Sequence, residues 1–207
     1  LEMNILIEDG ALPQDVDRVM YDFGYPMGPF AVADLAGNDI GWEGRKRRYA
    51  ANPDARKLPI PDTICEMGRF GQKTRGGWFD YKEGDRTPYP SDVVEEIISN
   101  YREQVGITPK SFTDQEILRR ILFSSINEIC KILDEGIAYK ASDADVMWLN
   151  GFGFPRYRGG VMFWADQIGV KVVYEQISAW HDELGERWAP SPYLKSLADE
   201  GKSFTGD

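Results

Sequence analysis

The chain has 207 residues, of which 42% are hydrophobic and 28% are charged, and its formal net charge is −10. This composition supports a packed core and argues against disorder. The acidic balance argues against nucleic acid and anionic membranes as main partners, because both attract basic proteins. No apolar run approaches the roughly 18 residues that a bilayer-spanning helix needs. We therefore expect neither nucleic-acid binding nor membrane insertion.

The cysteine and histidine content restricts the chemistry that the chain can perform. Cys65 and Cys130 lie far apart among apolar neighbours, which favours two buried free thiols in a reducing compartment. With no charged and apolar leader in the sequence, these thiols predict a cytoplasmic location. Because His181 is the one histidine and no Cys-x-x-Cys pair occurs, we expect no metal site. His181 is predicted on a helix surface, with a catalytic role as the alternative.

Helix signals dominate the chain. The clearest helix is predicted over residues 113–136, where Thr113 and Glu116 form a capping box, apolar residues recur at helical spacing and Gly136 provides the stop. Only GGWFDY, residues 76–81, resembles a strand. The sequence therefore predicts an all-α fold with at most a small β element. Further helices are predicted from Ser142 to Gly151, from Val173 to Gly185 and from Ser191 to Gly201.

The chain also contains an internal repeat. Both copies read as an acidic residue and glycine, an aspartate-capped helix, a Phe-Gly-aromatic-Pro segment and the start of another helix. This pattern predicts two related helical domains, residues 1–88 and 89–207, joined near the proline-rich segment 86–92. The matched pairs are Gly10 with Gly136, Asp17 with Asp145, Gly24-Tyr25-Pro26 with Gly153-Phe154-Pro155, and Asp34 with Asp166.

The two copies begin differently. The helix that ends at Gly136 starts near Thr113, whereas its counterpart before Gly10 has only nine residues. We therefore expect the chain to be a piece of a longer protein, cut within a helix.

Residues 23–30, FGYPMGPF, combine two glycines and two prolines with apolar side chains. One interpretation is a rigid corner between two helices. The other is the wall of a pocket for a long or flat apolar ligand, close to a helix start. The candidate lining residues are Tyr25, Pro26, Met27, Gly28, Pro29 and Phe30.

Two segments are rich in basic residues. Residues 68–81 contain Arg69, Lys73 and Arg75, which are candidates for holding a phosphate or for a domain interface; a turn with solvated charges is the alternative. Residues 45–51, RKRRYAA, are predicted to form a solvated helix face, with a polyanion site as the alternative.

Residues 8–42, 68–81 and 127–166 together resemble the C-terminal part of 3-hydroxyacyl-CoA dehydrogenases, above all the multifunctional β-oxidation enzymes that are also enoyl-CoA hydratases. The resemblance implies two tandem domains of the 6-phosphogluconate dehydrogenase C-terminal-like type, packed on each other. It implies that NAD is bound by an upstream domain that carries the catalytic His–Glu pair, and that acyl-CoA lies between that domain and the helical ones. No catalytic residue and no cofactor are then expected in this chain.

The resemblance assigns the acyl-side wall to Tyr25 through Phe30. It also matches a Gly-Gln-Lys-Thr loop at residues 71–74, without a known role. The second copy departs from the wall motif at residues 156–159, Arg-Tyr-Arg-Gly, which fits a copy retained for packing. We therefore predict a fragment that supports NAD-dependent oxidation of 3-hydroxyacyl-CoA and is inactive alone. The alternative is a stand-alone helical module that binds acyl-CoA or a protein.

Overall fold

A computed structural model describes residues 1–206. This part of the chain forms eleven α-helices and three short 3-10 turns, so the all-α prediction is confirmed. The strand predicted at residues 76–81 is wrong, because residues 1–206 contain only three isolated β-bridges, which join Gly71 to Gly76, Gly76 to Asp80 and Asp80 to Tyr89.

The helices group into two compact units. The first comprises Leu1–Asp22 and Met27–Ile117, and the second comprises Phe23–Pro26 and the chain from Leu118 onward. These units differ from the domains 1–88 and 89–207, which were drawn from the sequence repeat and stay a prediction. The predicted packing of one copy on the other also stays a prediction.

The first unit contains six helices and the 3-10 turn Gln72–Thr74. Its core is formed by apolar side chains of these helices and by Trp78, which lies in the segment between the helices Pro59–Glu66 and Asp92–Val105. The helices are α1 (Glu2–Asp9), α2 (Pro13–Phe23, of which Phe23 groups with the second unit), α3 (Pro29–Ala36), α4 (Asn38–Ala51), α5 (Pro59–Glu66) and α6 (Asp92–Val105).

The second unit contains five helices and the 3-10 turns Arg156–Arg158 and Glu186–Trp188. Phe123, Phe154 and Trp188 are its largest fully buried side chains. The helices are α7 (Asp114–Asp134, whose first turn groups with the first unit), α8 (Ala141–Gly151), α9 (Val161–Ile168), α10 (Val170–Leu184) and α11 (Pro192–Glu200).

The helix ends follow the local sequence signals. Thr113 Oγ1 accepts a hydrogen bond of 3.1 Å from the amide of Glu116 at the start of α7. Gly136 and Gly201 take positive φ values of 69° and 66°, conformations that glycine adopts without steric cost. The predicted α7 is confirmed, and α8 begins one residue before the predicted Ser142.

Arg102 holds the end of α1 against α6. Its buried guanidinium donates hydrogen bonds to the carbonyls of Ile7 (2.5 Å), Ala11 (2.8 Å) and Glu8 (3.3 Å). Carbonyls in the last turn of a helix have no partner within the helix, so a buried arginine is an effective acceptor-binding group there. Sequence reasoning did not find this residue.

Across residues 1–206, no helix is both long enough and apolar enough to cross a membrane.

Candidate functional site

Asp17 fixes the start of α3. Although it lies within α2, its carboxylate accepts hydrogen bonds from the amides of Phe30 (2.9 Å) and Ala31 (2.8 Å). A Cβ on Gly28 would overlap this carboxylate, so the close approach requires glycine. Burial raises the pKa of Asp17 to about 7, although the two amide hydrogen bonds oppose this shift. The corner before α3 is therefore held by a buried carboxyl group.

Asp34 fixes the other end of α3. Its carboxylate accepts hydrogen bonds of 2.9 Å from the amides of Trp78 and Phe79 and one of 3.0 Å from the Tyr81 hydroxyl. Burial raises the pKa of Asp34, and these hydrogen bonds lower it. Because two amides of residues 76–81 bind this side chain, they are not available to a strand ladder.

The second unit repeats this arrangement. Asp145 of α8 accepts hydrogen bonds from the amides of Met162 (2.7 Å) and Phe163 (3.2 Å), and a Cβ on Gly160 would overlap its carboxylate. Asp166 of α9 accepts hydrogen bonds from the amides of residues 204 and 205 at 2.7 Å and 2.9 Å. The prediction that Asp17 and Asp145 cap their own helices is wrong, since each lies inside one helix and caps the next.

The six candidate lining residues do not all belong to one unit. In the first unit, Phe30 is fully buried, with its ring centroid 4.4 Å from that of Trp78. Gly28 is also buried, whereas Met27 and Pro29 are half-buried. In the second unit, Tyr25 is half-buried and Pro26 is exposed. Phe30 and Gly28 thus hold the corner, and the other four expose surface.

The three cations of the basic loop differ in their contacts, since one binds groups within the loop region and two lie at the surface. Arg69 donates hydrogen bonds to the Gly77 carbonyl (3.1 Å), the Asp80 carboxylate (2.7 Å) and Ser91 Oγ (2.9 Å). These contacts make Arg69 an organiser of the loop. The two other cations are exposed and form ion pairs, Lys73 with Asp39 at 2.6 Å and Arg75 with Glu83 at 3.1 Å. A phosphate site at this loop stays a prediction.

The basic segment 45–51 is only partly solvated. Arg45 forms a half-buried ion pair of 2.6 Å with Asp62, and Tyr49 donates a hydrogen bond of 3.0 Å to the same carboxylate. The prediction of a solvated helix face is therefore wrong for these two residues, because they join α4 to α5. Lys46, Arg47 and Arg48 are exposed.

Sequence reasoning missed an exposed apolar face on the first unit. Val32, Leu35 and Ala36 share one side of α3, and Ile40 follows at the start of α4; we name these four residues the apolar face. Val32, Leu35 and Ile40 are 47%, 52% and 67% exposed. A groove of about 280 Å³ adjoins them and is lined by residues that include Met3, Ala33, Gly41, Pro61 and Trp78.

A sequence signal for this face exists. The sequence of α3, PFAVADLA, is apolar on every side apart from the buried Asp34. A helix that is apolar all round is normally buried all round. Contiguous exposed apolar surface on a folded domain marks a site for a partner or a ligand.

Both cysteines are buried and free, as predicted, and burial raises the pKa of each thiol. His181 Nε2 lies 3.4 Å from Glu186 at the surface. Within residues 1–206, no three histidine, cysteine or acidic side chains are grouped to hold a metal ion.

Two tandem helical units with equivalent aspartate contacts define a duplicated helical domain. The family model described as "3-hydroxyacyl-CoA dehydrogenase, C-terminal domain" matches residues 2–81 and again residues 117–205. The chain belongs to this family, and it contains two copies of the domain. The family resemblance read from the sequence is therefore confirmed.

The relatives are multifunctional enzymes. The chain is 41% identical to the peroxisomal bifunctional enzyme of Danio rerio, over 97% of this chain and 30% of that protein. It is 36% identical to the peroxisomal fatty acid beta-oxidation multifunctional protein of Oryza sativa subsp. japonica, over 94% of this chain and 27% of that protein. The chain thus spans less than a third of the length of these relatives.

A solved structure has the same fold. The dehydrogenase part of multifunctional enzyme 1 from C. elegans matches with a TM-score of 0.69 and 24% identity, over 90% of this chain and 42% of that chain. The names of the two relatives refer to peroxisomes, so the prediction of a cytoplasmic location gains no support from them.

Proposed function

We propose that this chain forms the helical part of a 3-hydroxyacyl-CoA dehydrogenase within a multifunctional enzyme of fatty-acid β-oxidation. The observation that carries the proposal is the double family match, which falls on both units. The reaction of the whole enzyme is oxidation of the 3-hydroxyl group of a 3-hydroxyacyl-CoA, with NAD as the acceptor. By the names of its relatives, we place this enzyme in peroxisomes.

NAD binding belongs to another domain in this proposal. A dinucleotide fingerprint requires a glycine-rich turn from a strand into a helix. Residues 1–206 contain no strand, and the sequence has no Gly-x-Gly-x-x-Gly pattern. The residues of this chain therefore do not fit NAD, and we assign them to the acyl side and to mechanical support.

Two features of the first unit support a role as one side of a larger site. Met27 and Pro29 present half-buried apolar surface at the start of α3, where Asp17 holds the backbone. The apolar face exposes Val32, Leu35 and Ile40 near the other end of this helix. We propose that the upstream domain covers the apolar face and that the acyl chain contacts Met27 and Pro29. Tyr25 and Pro26, which group with the second unit, stay candidate lining residues.

The proposal is tested by comparing the dehydrogenase activity of a chimera with that of the isolated chain. In the chimera, this chain replaces the matched part of the Danio rerio enzyme, and NADH formation from a 3-hydroxyacyl-CoA is followed by absorbance. We expect activity from the chimera and none from the isolated chain. An inactive but folded chimera, or an active isolated chain, would contradict the proposal.

A charged residue introduced into the apolar face tests specifically whether another domain covers this face. Leu35→Asp in the chimera is expected to lower activity at least tenfold, because the carboxylate would be desolvated under a covering domain. Met67→Asp is the matched control, since Met67 is also exposed in the first unit but lies outside the apolar face. Equal activities of the two variants would contradict coverage of the apolar face.

The groove beside the apolar face supports the second candidate, a stand-alone module that binds acyl-CoA or a protein. Calorimetry of the isolated chain with a long-chain acyl-CoA separates the two candidates. Micromolar binding, abolished by Leu35→Asp and retained in Met67→Asp, would favour the module. Absence of binding favours the dehydrogenase part.

A further inference from the structure

Residues 23–26 have an unusual position in the fold. They consist of Phe23, the last residue of α2, and the three residues that follow it, yet their contacts group them with the second unit. They include Tyr25 and Pro26, which are candidate acyl-wall residues. What holds this segment therefore decides where that part of the wall lies.

The carbonyl of Phe23 is the main polar anchor of the segment. It is the last carbonyl of α2, a position with no partner inside the helix. It accepts a hydrogen bond of 2.9 Å from Arg158 Nε and one of 3.0 Å from the Tyr157 hydroxyl. A bond from a guanidinium to a carbonyl is charge-assisted and is stronger than a bond between neutral groups.

Arg158 also binds the ring of the same residue. Its guanidinium carbon lies 4.0 Å from the centroid of the Phe23 ring, within the range of a cation–π contact. Arg158 is half-buried, whereas the Tyr157 side chain is 75% exposed. Of the two residues, Arg158 therefore makes the larger contribution.

Aromatic packing completes the support. The Phe23 ring lies edge-on to Phe154 and to Trp164, at centroid distances of 5.7 Å and 5.3 Å, and Tyr25 lies edge-on to Phe154 at 5.9 Å. The Tyr25 hydroxyl is buried without a hydrogen-bond partner among residues 1–206. The position of Tyr25 thus depends on its ring contacts and on the backbone anchor at Phe23, not on its own hydroxyl group.

Glycine is required next to this anchor. Gly24 has a φ of 120°, and a Cβ there would overlap the Tyr157 hydroxyl. On the first copy's pattern, residues 156–159 would read Met-Gly-Pro-Phe, but the second copy has Arg-Tyr-Arg-Gly. Tyr157 and Arg158, which stand where the second copy departs from the wall motif, are therefore the residues that hold the segment.

We propose that Arg158, assisted by Tyr157, is a positioning residue that sets the place of Tyr25 and Pro26 for the acyl chain. The residue acts through the Phe23 carbonyl and ring and does not touch substrate. This inference rests on the proposed dehydrogenase function for its purpose, but the anchor itself is testable without that function.

The first experiment measures the anchor in the 207-residue chain. Chymotrypsin cleaves after phenylalanine when a segment opens, and the rate of cleavage between Phe23 and Gly24 is read by intact mass. Arg158→Met is expected to raise this rate about tenfold, and Arg158→Lys less, because a lysine keeps a donor without the planar stacking group. Unchanged cleavage in Arg158→Met would overturn the proposal.

Arg156→Met is the matched control. Arg156 lies in the same 3-10 turn but is exposed, and it donates its hydrogen bond to Asn150 at 3.0 Å. We expect cleavage at the wild-type rate in this variant. Thermal melting of all variants, with cleavage at other sites, separates local release from global unfolding; release of residues 23–26 only through global unfolding would overturn the proposal.

The second experiment measures whether the anchor affects substrate binding, by determining KM and kcat of the chimera with the Danio rerio enzyme. Arg158→Met is expected to raise KM for a long-chain 3-hydroxyacyl-CoA about tenfold while kcat changes less than twofold, because binding of the chain is weakened equally in the ground and transition states. The KM of Arg158→Lys should lie between the KM of the unsubstituted chimera and that of Arg158→Met. Faster cleavage with an unchanged KM would overturn the positioning role, whereas an inactive unsubstituted chimera would contradict the proposed function itself.

Discussion

Asp17 Oδ1 accepts a hydrogen bond of 2.9 Å from the amide of Phe30, thirteen residues further along the chain. This contact joins the middle of α2 to the start of α3 and passes through the space left by the missing side chain of Gly28. Asp145 and Met162 form the equivalent contact in the second unit, at 2.7 Å. Each unit is therefore organised around a buried aspartate that caps the next helix.

The raised pKa of Asp17 predicts a pH dependence of stability. The folded-state pKa of about 7 lies above the ordinary aspartate value of 3.8. Between these values the folded protein keeps a proton that the unfolded chain loses, so the contribution to stability is complete below pH 4 and is lost as the pH rises to about 7. Because each pKa unit corresponds to about 1.4 kcal/mol, the loss amounts to a few kcal/mol.

Asp17→Asn tests this dependence. The amide does not titrate, but its nitrogen cannot accept the second amide hydrogen bond, so the comparison uses the pH dependence of stability and not its absolute value. We expect the urea midpoint of the wild-type chain to fall between pH 5 and pH 8 relative to that of Asp17→Asn. The exposed Asp54→Asn provides the control and should follow the wild type. Parallel curves for Asp17→Asn and the wild type would contradict the shifted pKa.

Two glycines of the first unit should respond to alanine in opposite directions. Gly28→Ala places a Cβ onto the Asp17 carboxylate and should lower the free energy of unfolding by roughly 1–3 kcal/mol. Gly44 lies in α4 with open space around it, so Gly44→Ala should raise this energy by about 0.5–1 kcal/mol. Denaturant titration compares the two variants, and a loss of stability in both would leave the Asp17 contact unsupported.

Arg102→Met should destabilise the first unit. The substitution leaves the carbonyls of Ile7, Glu8 and Ala11 without their buried donor, which costs roughly 2–4 kcal/mol. Arg47→Met is the matched control, because Arg47 is exposed on α4. The free energy of unfolding, followed with amide exchange in α1, is the measurement. A value for Arg102→Met equal to that of the control would refute the clamp.

Substitutions of Arg69 and of Arg75 should differ in their effect on the melting temperature, because only Arg69 binds the basic loop internally. Arg69→Met removes donors to Gly77, Asp80 and Ser91 and should lower the melting temperature by several degrees. Arg75→Met removes only an exposed ion pair and should leave the melting temperature within a degree. Differential scanning calorimetry makes the comparison, and similar shifts would mean that Arg69 does not organise the loop.

Several elements were predictable from the sequence. The α7 helix follows from a capping box, helical spacing and a terminal glycine, all of which act between residues a few positions apart. The duplicated pattern of Gly10, Asp17 and Asp34 was equally visible, because a repeat is a property of order along the chain. The burial of Cys65 and Cys130 followed from their apolar neighbours.

The helical class, the duplication and the family were thus readable in the sequence, since each depends on local spacing or on the order of residues along the chain. The folded structure was needed to show which amides Asp17 and Asp34 bind, including two amides of residues 76–81. It was also needed to show that residues 23–26 group with the second unit. These contacts join residues that are far apart in the chain. They form only after packing has excluded water and brought donors and acceptors together. Local periodicity therefore does not predict which distant residues will pair.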